Sequence, residues 1–175
     1  MAKIDFEKLR FVVVDDNTHM RRIVRTLLRA FGSREIYEAE DGASGLEAVD
    51  AYSPDILIAD IKMPIFDGIE LTQMIRNPEG PKHPFLPIIV LTAYSEKKHV
   101  IQARDAGATE FLCKPVSASA LFRRIQNVIE NPRPVIRTRN FFGPDRRRYI
   151  NPNFGGEERR VADSSSYVVD LNSLS

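Results

Sequence analysis

Four short apolar runs, each ending abruptly at a polar residue, constrain the fold of this chain more than any other feature. The runs and the residues that end them are 11–14 with Asp15, 56–59 with Asp60, 87–91 with Thr92, and 109–113 with Lys114. Apolar runs of about four to eight residues between turn signals are typical of strands covered on both faces, as in parallel sheets. Because parallel strands end at one edge of the sheet, we expect these polar residues to converge there.

Segments with helical periodicity lie between the apolar runs. The clearest follows the first run, where apolar residues recur at the spacing of an amphipathic helix: Met20, Ile23, Val24, Leu27, Leu28 and Phe31. Asn17 is suited to begin this helix and Gly32 to end it. A final helix after Ser117 should bury Leu121, Phe122, Ile125, Val128 and Ile129. Five strands alternating with five helices predict an α/β fold with a parallel sheet and helices on both faces.

The composition changes at residue 131. Residues 131–175 contain eight arginines, no lysine and five acidic residues, a net charge of +3, which leaves a net charge of −2 on residues 1–130. Four prolines, three glycines and several serines also lie in this segment, with little periodicity. We therefore divide the chain into a folded domain, 8–130, and an extended or partly disordered arginine-rich arm, 131–175.

The single cysteine and the hydropathy of the sequence indicate the cellular compartment of the protein. Cys113 cannot form an intramolecular disulfide and lies in an apolar run, which predicts a small buried side chain. No run approaches the roughly 18 apolar residues of a membrane span, and the first residues lack a signal-peptide pattern. We expect a soluble, cytoplasmic protein.

The residues expected to converge have chemistry suited to a divalent cation and a phosphoryl group. Asp15, Asp16 and Asp60 offer the oxygen ligands that Mg²⁺ prefers. Asp60 could then act as a nucleophile and accept a phosphoryl group as an acyl phosphate. The Lys114 ammonium and the Thr92 hydroxyl could stabilise the transferred oxygens. Each residue also has a plain structural explanation, since acids begin helices, threonine caps them, and Lys-Pro is common in loops.

Other classes of site find less support. The chain has no glycine-rich phosphate loop and no readable Ser/His/Asp arrangement. His19, His83 and His99 lack metal-ligand spacing. A metal-dependent phosphatase would share the acids, but no second acid stands beside Asp60 in the following loop, and Asp67 begins a helix. We therefore expect a phosphoryl acceptor and no independent turnover of a substrate.

The motif set resembles the signature of two-component response regulator receiver domains over about residues 8–130. The matching residues are Asp15-Asp16, Asp60, Met63-Pro64, Asp67-Gly68, Thr92-Ala93 and Lys114-Pro115. Residues 13–25 look particularly similar to the CheY-like members of the family. The resemblance implies a flavodoxin-like (βα)5 fold, phosphorylation of Asp60 by a histidine kinase, and signalling through protein contacts, as in chemotaxis at the flagellar motor.

The resemblance also implies roles for single residues. Mg²⁺ would be held by Asp16, Asp60 and the Lys62 carbonyl, with Asp15 helping from the outer shell. Phosphorylation would draw the Thr92 hydroxyl inward and change the rotamer of Phe111, where the family often has tyrosine. The readout surface would then be residues 103–122. Lys62 and Tyr94 are placed to overhang the phosphoryl group and to obstruct water, which predicts a long-lived phosphorylated state.

The arm allows two interpretations. It has no recognisable helix-turn-helix, so a DNA-binding output is not expected. Its closely spaced arginines resemble those of CheY-like cyclic di-GMP effectors, and arginine forks suit phosphates and guanine edges. The candidates for such a site are Arg146, Arg147, Arg148, Arg159 and Arg160, with Tyr149 or Phe142 stacking on a base. The alternative is a solvated basic arm that contacts acidic partners or nothing.

Overall fold

A parallel sheet of five strands forms the centre of the computed structural model, which describes residues 4–77, 79–80, 83–93, 97–138 and 141–146 and the backbone of 167–169. The strands are β1 (Arg10–Val14), β2 (Glu35–Ala39), β3 (Ile56–Asp60), β4 (Ile88–Ala93) and β5 (Glu110–Lys114). Their order in the sheet is β2-β1-β3-β4-β5, and every neighbouring pair is parallel. The predicted α/β fold is confirmed.

Five helices cover the two faces of this sheet: α1 (Thr18–Phe31), α2 (Gly42–Tyr52), α3 (Gly68–Arg76), α4 (Lys97–Ala106) and α5 (Ala118–Glu130). Alternate residues of β1 show how the layers are built. Phe11 and Val13 pack with the apolar residues of α1 and α5, whereas Val12 and Val14 pack with those of α2, α3 and α4. Burial on both faces explains why the central strands read as continuous apolar runs.

Local signals in the sequence position the helix ends. The side chain of Asn17 accepts hydrogen bonds from His19 N and Met20 N at the start of α1, and Gly32 ends that helix with φ of 109°. Asp67 begins α3 in a reciprocal capping arrangement with Glu70. Among the described residues, no helix is long and apolar enough to cross a membrane.

Two predictions of burial are wrong. Cys113 is exposed, because β5 is an edge strand whose side chains are only partly covered. Ile129 is also exposed, in the last turn of α5, while the other predicted apolar positions of this helix are buried or half-buried. A pattern of apolar residues in the sequence does not by itself distinguish an edge strand from a central one, or the end of a helix from its middle.

The arm contributes three short strands that its sequence did not predict. They are β6 (Val135–Thr138), β7 (Phe141–Pro144) and β8 (Tyr167–Val169), antiparallel in the order β7-β6-β8. Strands of three or four residues are too short to show a clear alternation. The arm of the sequence analysis therefore includes a small sheet.

The hairpin of β6 and β7, here called the C-terminal hairpin, packs against the domain at the amino end of β5. The ring of Phe142 lies 5.6 Å from that of Phe85, in the segment before β4. Arg146 Nη1 lies 3.4 Å from Asp105 Oδ1 near the end of α4. Asp60 stands at the carboxyl end of β3. The hairpin therefore sits at the end of the sheet opposite to Asp60.

Two glycines allow the close approach of this hairpin. A Cβ on Gly143 would lie 3.1 Å from the Gly107 Cα, and one on Gly107 would lie 2.9 Å from Cγ of Arg76. The guanidinium of Arg76 is buried beneath them, where Nε donates to the Gly107 carbonyl at 3.0 Å and Nη1 donates to that of Pro84 at 2.7 Å. Burial lowers the pKa of Arg76 to about 9, so the side chain is still charged at neutral pH.

Candidate functional site: an acidic pocket at the carboxyl edge of the sheet

Three carboxylates meet where β1 and β3 end. Val14 pairs with Ala59 in the parallel register, which places the two strand ends side by side. One ligand oxygen from each of Asp15, Asp16 and Asp60 lies within 4.8 Å of the other two. Asp15 and Asp60 are buried and Asp16 is exposed, so the cluster opens to solvent on one side. Such a set of hard oxygen donors fits Mg²⁺, which keeps several waters beside its carboxylate ligands.

Lys114 supplies the positive charge of the pocket. It is the last residue of β5 and precedes a cis peptide bond to Pro115. Its ammonium Nζ lies 3.0 Å from Asp60 Oδ1 and 3.1 Å from Asp15 Oδ2. The ammonium thus bridges two buried carboxylates that would otherwise repel each other.

The ionisation of this cluster follows from its burial. Burial raises the pKa of Asp60, the Lys114 ammonium opposes the rise, and the charges of Asp15 and Asp16 add to it. Burial by itself acts to lower the pKa of Lys114, but Asp60 and Asp15 outweigh it, so that the pKa is raised. A carboxylate held among like charges and beside an ammonium, in a cluster that opens to solvent at Asp16, is suited to bind a metal ion or to accept a phosphoryl group.

Thr92 lies at the same edge, near the end of β4 and between β3 and β5. Leu91 pairs with Asp60, and Thr92 itself pairs with Cys113. The buried Thr92 hydroxyl donates to the Ala93 carbonyl at 3.2 Å. A hydroxyl has one proton to donate, so this bond must break before the group can donate to an oxygen on Asp60.

The loop between β3 and α3 closes tightly beneath Asp60. Gly68 N donates to the Ile61 carbonyl at 3.0 Å. A Cβ on Gly68 would collide with the Asp60 carbonyl, so this position requires glycine. Asp67 accepts from the backbone of Ile69 and Glu70 and therefore caps α3. Asp67 and Gly68 therefore have a structural role, which is to hold this loop in place.

The other predicted pocket residues are placed as follows. Lys62 is exposed in the loop directly after β3. Phe111 is half-buried and packs with the cluster on the α2, α3 and α4 side of the sheet. Tyr94 lies outside the residues that the structure describes. The sheet thus brings Asp15, Asp16, Asp60 and Lys114 into one cluster, while the parts assigned to Lys62, Phe111 and Tyr94 stay predictions.

The arginine candidates of the arm are mostly beyond the described part of the chain. Arg147, Arg148, Tyr149, Arg159 and Arg160 all lie there. Arg146 lies within the described part of the chain, and its side chain contacts other residues of the protein. Its guanidinium carbon lies 4.1 Å from the centre of the Phe141 ring, and its Nη1 faces Asp105. The described contacts of Arg146 are those of a structural anchor for the hairpin.

Sequence reasoning missed one buried charge cluster. Glu110, at the start of β5, accepts from Asn127 Nδ2 at 2.7 Å and from Arg124 Nη1 and Arg133 Nη2 at 3.1 Å each. This carboxylate is 1% exposed and ties β5, α5 and the segment before β6 together. An acid inside a mainly apolar run, with arginines downstream, was the only signal available. It does not reveal which arginines will be neighbours.

The fold and the pocket together define a protein class. A five-stranded parallel sheet carries an acid cluster, a hydroxyl and a lysine at its carboxyl edge, in the order that receiver domains have. The sequence model of the family described as response regulator receiver domain matches residues 11–126. The chain belongs to this family.

Curated relatives and solved structures agree with this assignment. The chemotaxis protein CheY of Pseudomonas aeruginosa is 34% identical over 122 residues, covering 70% of this chain and 97% of that protein. CheY-3 of Vibrio cholerae is 34% identical over 130 residues, covering 74% and 98%. The protein is thus a CheY-like receiver over most of its length.

Two solved structures extend the comparison. The receiver domain of the sensor histidine kinase PA1611 from Pseudomonas aeruginosa, with a magnesium ion coordinated in its active-site cleft, matches with a TM-score of 0.63 and 27% identity over 70% of this chain and 98% of that one. A response regulator receiver domain protein from Clostridium thermocellum matches with a TM-score of 0.62 and 30% identity over 70% and 94%. Neither match spans the whole arm.

Proposed function

We propose that this protein is a cytoplasmic phosphorylation switch in which Asp60 accepts a phosphoryl group from a histidine kinase. The observation that carries the proposal is the bridge of Lys114 between Asp60 and Asp15 inside a three-acid cluster. A carboxylate in a cluster that opens to solvent at Asp16, with an ammonium beside it, has both the nucleophile and the charge stabilisation that phosphoryl transfer needs.

In the proposed step, an Asp60 carboxylate oxygen attacks the phosphorus of a phosphohistidine. The new P–O bond forms as the P–N bond breaks, and the imidazole leaves with the bonding electrons and takes up a proton. The Lys114 ammonium then moves from the carboxylates to the phosphoryl oxygens. The Thr92 hydroxyl breaks its hydrogen bond to the Ala93 carbonyl and donates to another phosphoryl oxygen. Asp15, Asp16, Asp60 and the Lys62 carbonyl would hold Mg²⁺, which supplies further positive charge for those oxygens.

The output that we propose is a change in protein contacts. Movement of Thr92 would free space for a new rotamer of the half-buried Phe111, and the two arrangements would present different surfaces on α4, β5 and α5. The phosphoryl group would stabilise one of two existing states, which is a population shift. The names of the curated relatives favour chemotaxis. The family resemblance adds a flagellar motor component as the target that we propose. The protein would thus be a signalling protein without a substrate of its own.

The arm has a part in this proposal as well. We divide the chain by role into the receiver, residues 8–130, and the arm, residues 131–175, although the C-terminal hairpin packs on the receiver. No contact among the described residues favours cyclic di-GMP as a ligand, since Arg146 is held by Asp105 and Phe141. Calorimetric titration of cyclic di-GMP into the full chain and into a version truncated after Glu130 decides between the two interpretations of the arm. Binding heat that is lost on truncation would make the arm a nucleotide site, and no heat with either protein would leave it a basic arm for a protein partner.

Labelling by a small phosphodonor tests the proposal most directly. With acetyl phosphate and Mg²⁺, intact mass spectrometry should show one added phosphoryl group, which hydroxylamine should remove as expected for an acyl phosphate. Asp60→Asn should abolish the label, and Asp50→Asn, at an exposed position of α2, should keep it. A label that persists in Asp60→Asn would refute Asp60 as the acceptor.

A further inference from the structure

Small side chains attach α4 to the core of the receiver. Within this helix, which the structure describes along its whole length, the buried residues are Ala103 and Ala106. The neighbouring α3 buries Leu71 and Ile75, among others. Because the free energy of burial grows with the apolar area removed from water, two alanines anchor a helix less firmly than leucine and isoleucine do. α4 can therefore shift on the sheet at little cost.

The amino end of α4 is connected to the acidic pocket. β4 ends at Ala93, whose carbonyl accepts a hydrogen bond from the Thr92 hydroxyl at 3.2 Å, and α4 begins shortly afterwards at Lys97. In the proposed function this bond breaks, because the hydroxyl has one proton and donates it to a phosphoryl oxygen. The segment that leads into α4 must then adjust, so phosphorylation of Asp60 should displace this helix.

The carboxyl end of α4 is held by the C-terminal hairpin. Arg146 Nη1 lies 3.4 Å from Asp105 Oδ1 in the last turn of the helix. The Arg146 guanidinium is itself kept in place by the Phe141 ring, whose centre lies 4.1 Å from the guanidinium carbon. Directly after the helix, the backbones of Gly143 and Gly107 come so close that a Cβ on Gly143 would lie 3.1 Å from the Gly107 Cα.

The hairpin has its other contacts with parts of the receiver outside α4. The Phe142 ring lies 5.6 Å from that of Phe85, in the segment before β4. Arg133 Nη2, in the segment before β6, donates to the buried Glu110 carboxylate at 3.1 Å, at the start of β5. These partners lie at the amino ends of β4 and β5, whereas Thr92 lies near the carboxyl end of β4. The hairpin thus ties a weakly anchored helix to the part of the sheet farthest from the pocket.

We propose that the C-terminal hairpin holds α4 in the position that it has without a phosphoryl group and thereby lowers the affinity of the receiver for that group. This inference rests on the proposed function of Asp60. A shift of α4 would strain or break the contacts of Arg146 and Gly143. Contacts that stabilise one of two states oppose any ligand that binds the other state better. Detachment of the hairpin should therefore make the receiver easier to phosphorylate.

The test measures the affinity of the full chain for beryllofluoride, an analogue of the phosphoryl group, by calorimetric titration in the presence of Mg²⁺. Arg146→Gln removes the ion pair with Asp105 and the contact with Phe141, and it should raise the affinity about threefold. The Arg146 side chain is 36% exposed, so this variant should fold as the parent does. Arg146→Lys, which can still pair with Asp105, should stay closer to the parent.

Arg104→Gln is the matched control. Arg104 Nη2 lies 3.1 Å from the same Asp105 oxygen, but both residues belong to α4, so this pair does not involve the hairpin. The variant removes the same charge as Arg146→Gln and should leave the affinity unchanged. An unchanged or lower affinity in Arg146→Gln would overturn the inference, and so would an equal gain in Arg104→Gln. A parent protein that binds no beryllofluoride would instead refute the proposed function.

Discussion

The Lys114 ammonium lies 3.0 Å from the Asp60 carboxylate, so the candidate phosphoacceptor carries its own counter-cation. The Lys114 ammonium offsets only part of the cost of burying the Asp60 charge, because burial and the neighbouring acids still raise the pKa of Asp60. The pocket is therefore a place where the fold gives up stability for a chemical arrangement.

Asp60→Asn should raise the free energy of unfolding of the metal-free protein. The folded pKa of Asp60 lies above the unfolded value of about 3.9, so the folded state holds the proton more tightly. Stability is then lost as the pH rises from the unfolded pKa through the folded one, and asparagine escapes this loss. Urea denaturation in EDTA should show little advantage of the variant near pH 4 and the full advantage near pH 8. A variant less stable than the parent near pH 8 would contradict this account.

Mg²⁺ should raise the melting temperature of the parent protein. An ion that binds only the folded state stabilises it by about 2.7 kcal/mol at a hundredfold excess over its dissociation constant. Asp16→Asn removes one carboxylate of the cluster but not the pocket, since Asp16 is exposed. Calorimetric scans with and without Mg²⁺ should show a smaller shift in Asp16→Asn. Equal shifts in both proteins would mean that the ion binds elsewhere.

Lys62→Ala and Tyr94→Ala should each shorten the lifetime of the phosphorylated state. Both positions lie two residues past a pocket residue, Asp60 or Thr92, and their long side chains would obstruct water at the phosphoryl group. Decay of the phosphoprotein made with acetyl phosphate measures the lifetime directly. Lys97→Ala, at the start of α4, serves as a control for loss of a lysine charge. Unchanged half-lives in the first two variants would rule out shielding by these side chains.

The pocket was predictable because its residues are tied to strand ends. Asp15, Asp60, Thr92 and Lys114 each follow an apolar run, and a parallel sheet places the ends of such runs at one edge. The fold was predictable for the same reason, because apolar runs and amphipathic helical segments alternate along the chain, and this alternation specifies a parallel sheet. Exposure at the margins was not predictable, as Cys113 shows, because it depends on which strand lies at the edge of the sheet.

The packing of the C-terminal hairpin could not be read from the sequence. Its strands are short, and its contacts join residues far apart in the chain, such as Phe142 with Phe85 and Arg133 with Glu110. Neither periodicity nor composition encodes such pairings. The arginines of the arm suggested a nucleotide site, whereas Arg133 and Arg146, two of the three arm arginines that the structure describes, form ion pairs within the protein.

Glu110→Ala should destabilise the protein far more than Arg133→Ala. Removal of the buried carboxylate leaves Arg133 and Asn127 without their acceptor, which costs about 3 kcal/mol. Removal of Arg133 leaves Glu110 with Arg124 and Asn127, so the cost is about 1 kcal/mol. Arg104→Ala, which breaks an exposed pair, should change stability little. Urea denaturation gives all three values, and equal costs for Glu110→Ala and Arg133→Ala would contradict the geometry of the cluster.

Phe142→Ala should detach the C-terminal hairpin without unfolding the receiver. Its ring is half-buried against Phe85, so the loss of contact costs about 1 to 2 kcal/mol, concentrated in the hairpin. Hydrogen exchange followed by mass spectrometry should show faster exchange of the amides of β6 and β7. The amides of β1 and β3 should exchange as in the parent, because they lie in the central sheet.

A surface variant makes this result interpretable. Met74→Ala shortens a partly exposed side chain of α3 and should leave exchange in the hairpin unchanged. Uncovering Arg76 should also speed exchange in the loop around Gly107, whose carbonyl accepts from the Arg76 guanidinium. If β6 and β7 keep their protection in Phe142→Ala, the contact with Phe85 is not what holds the hairpin in place.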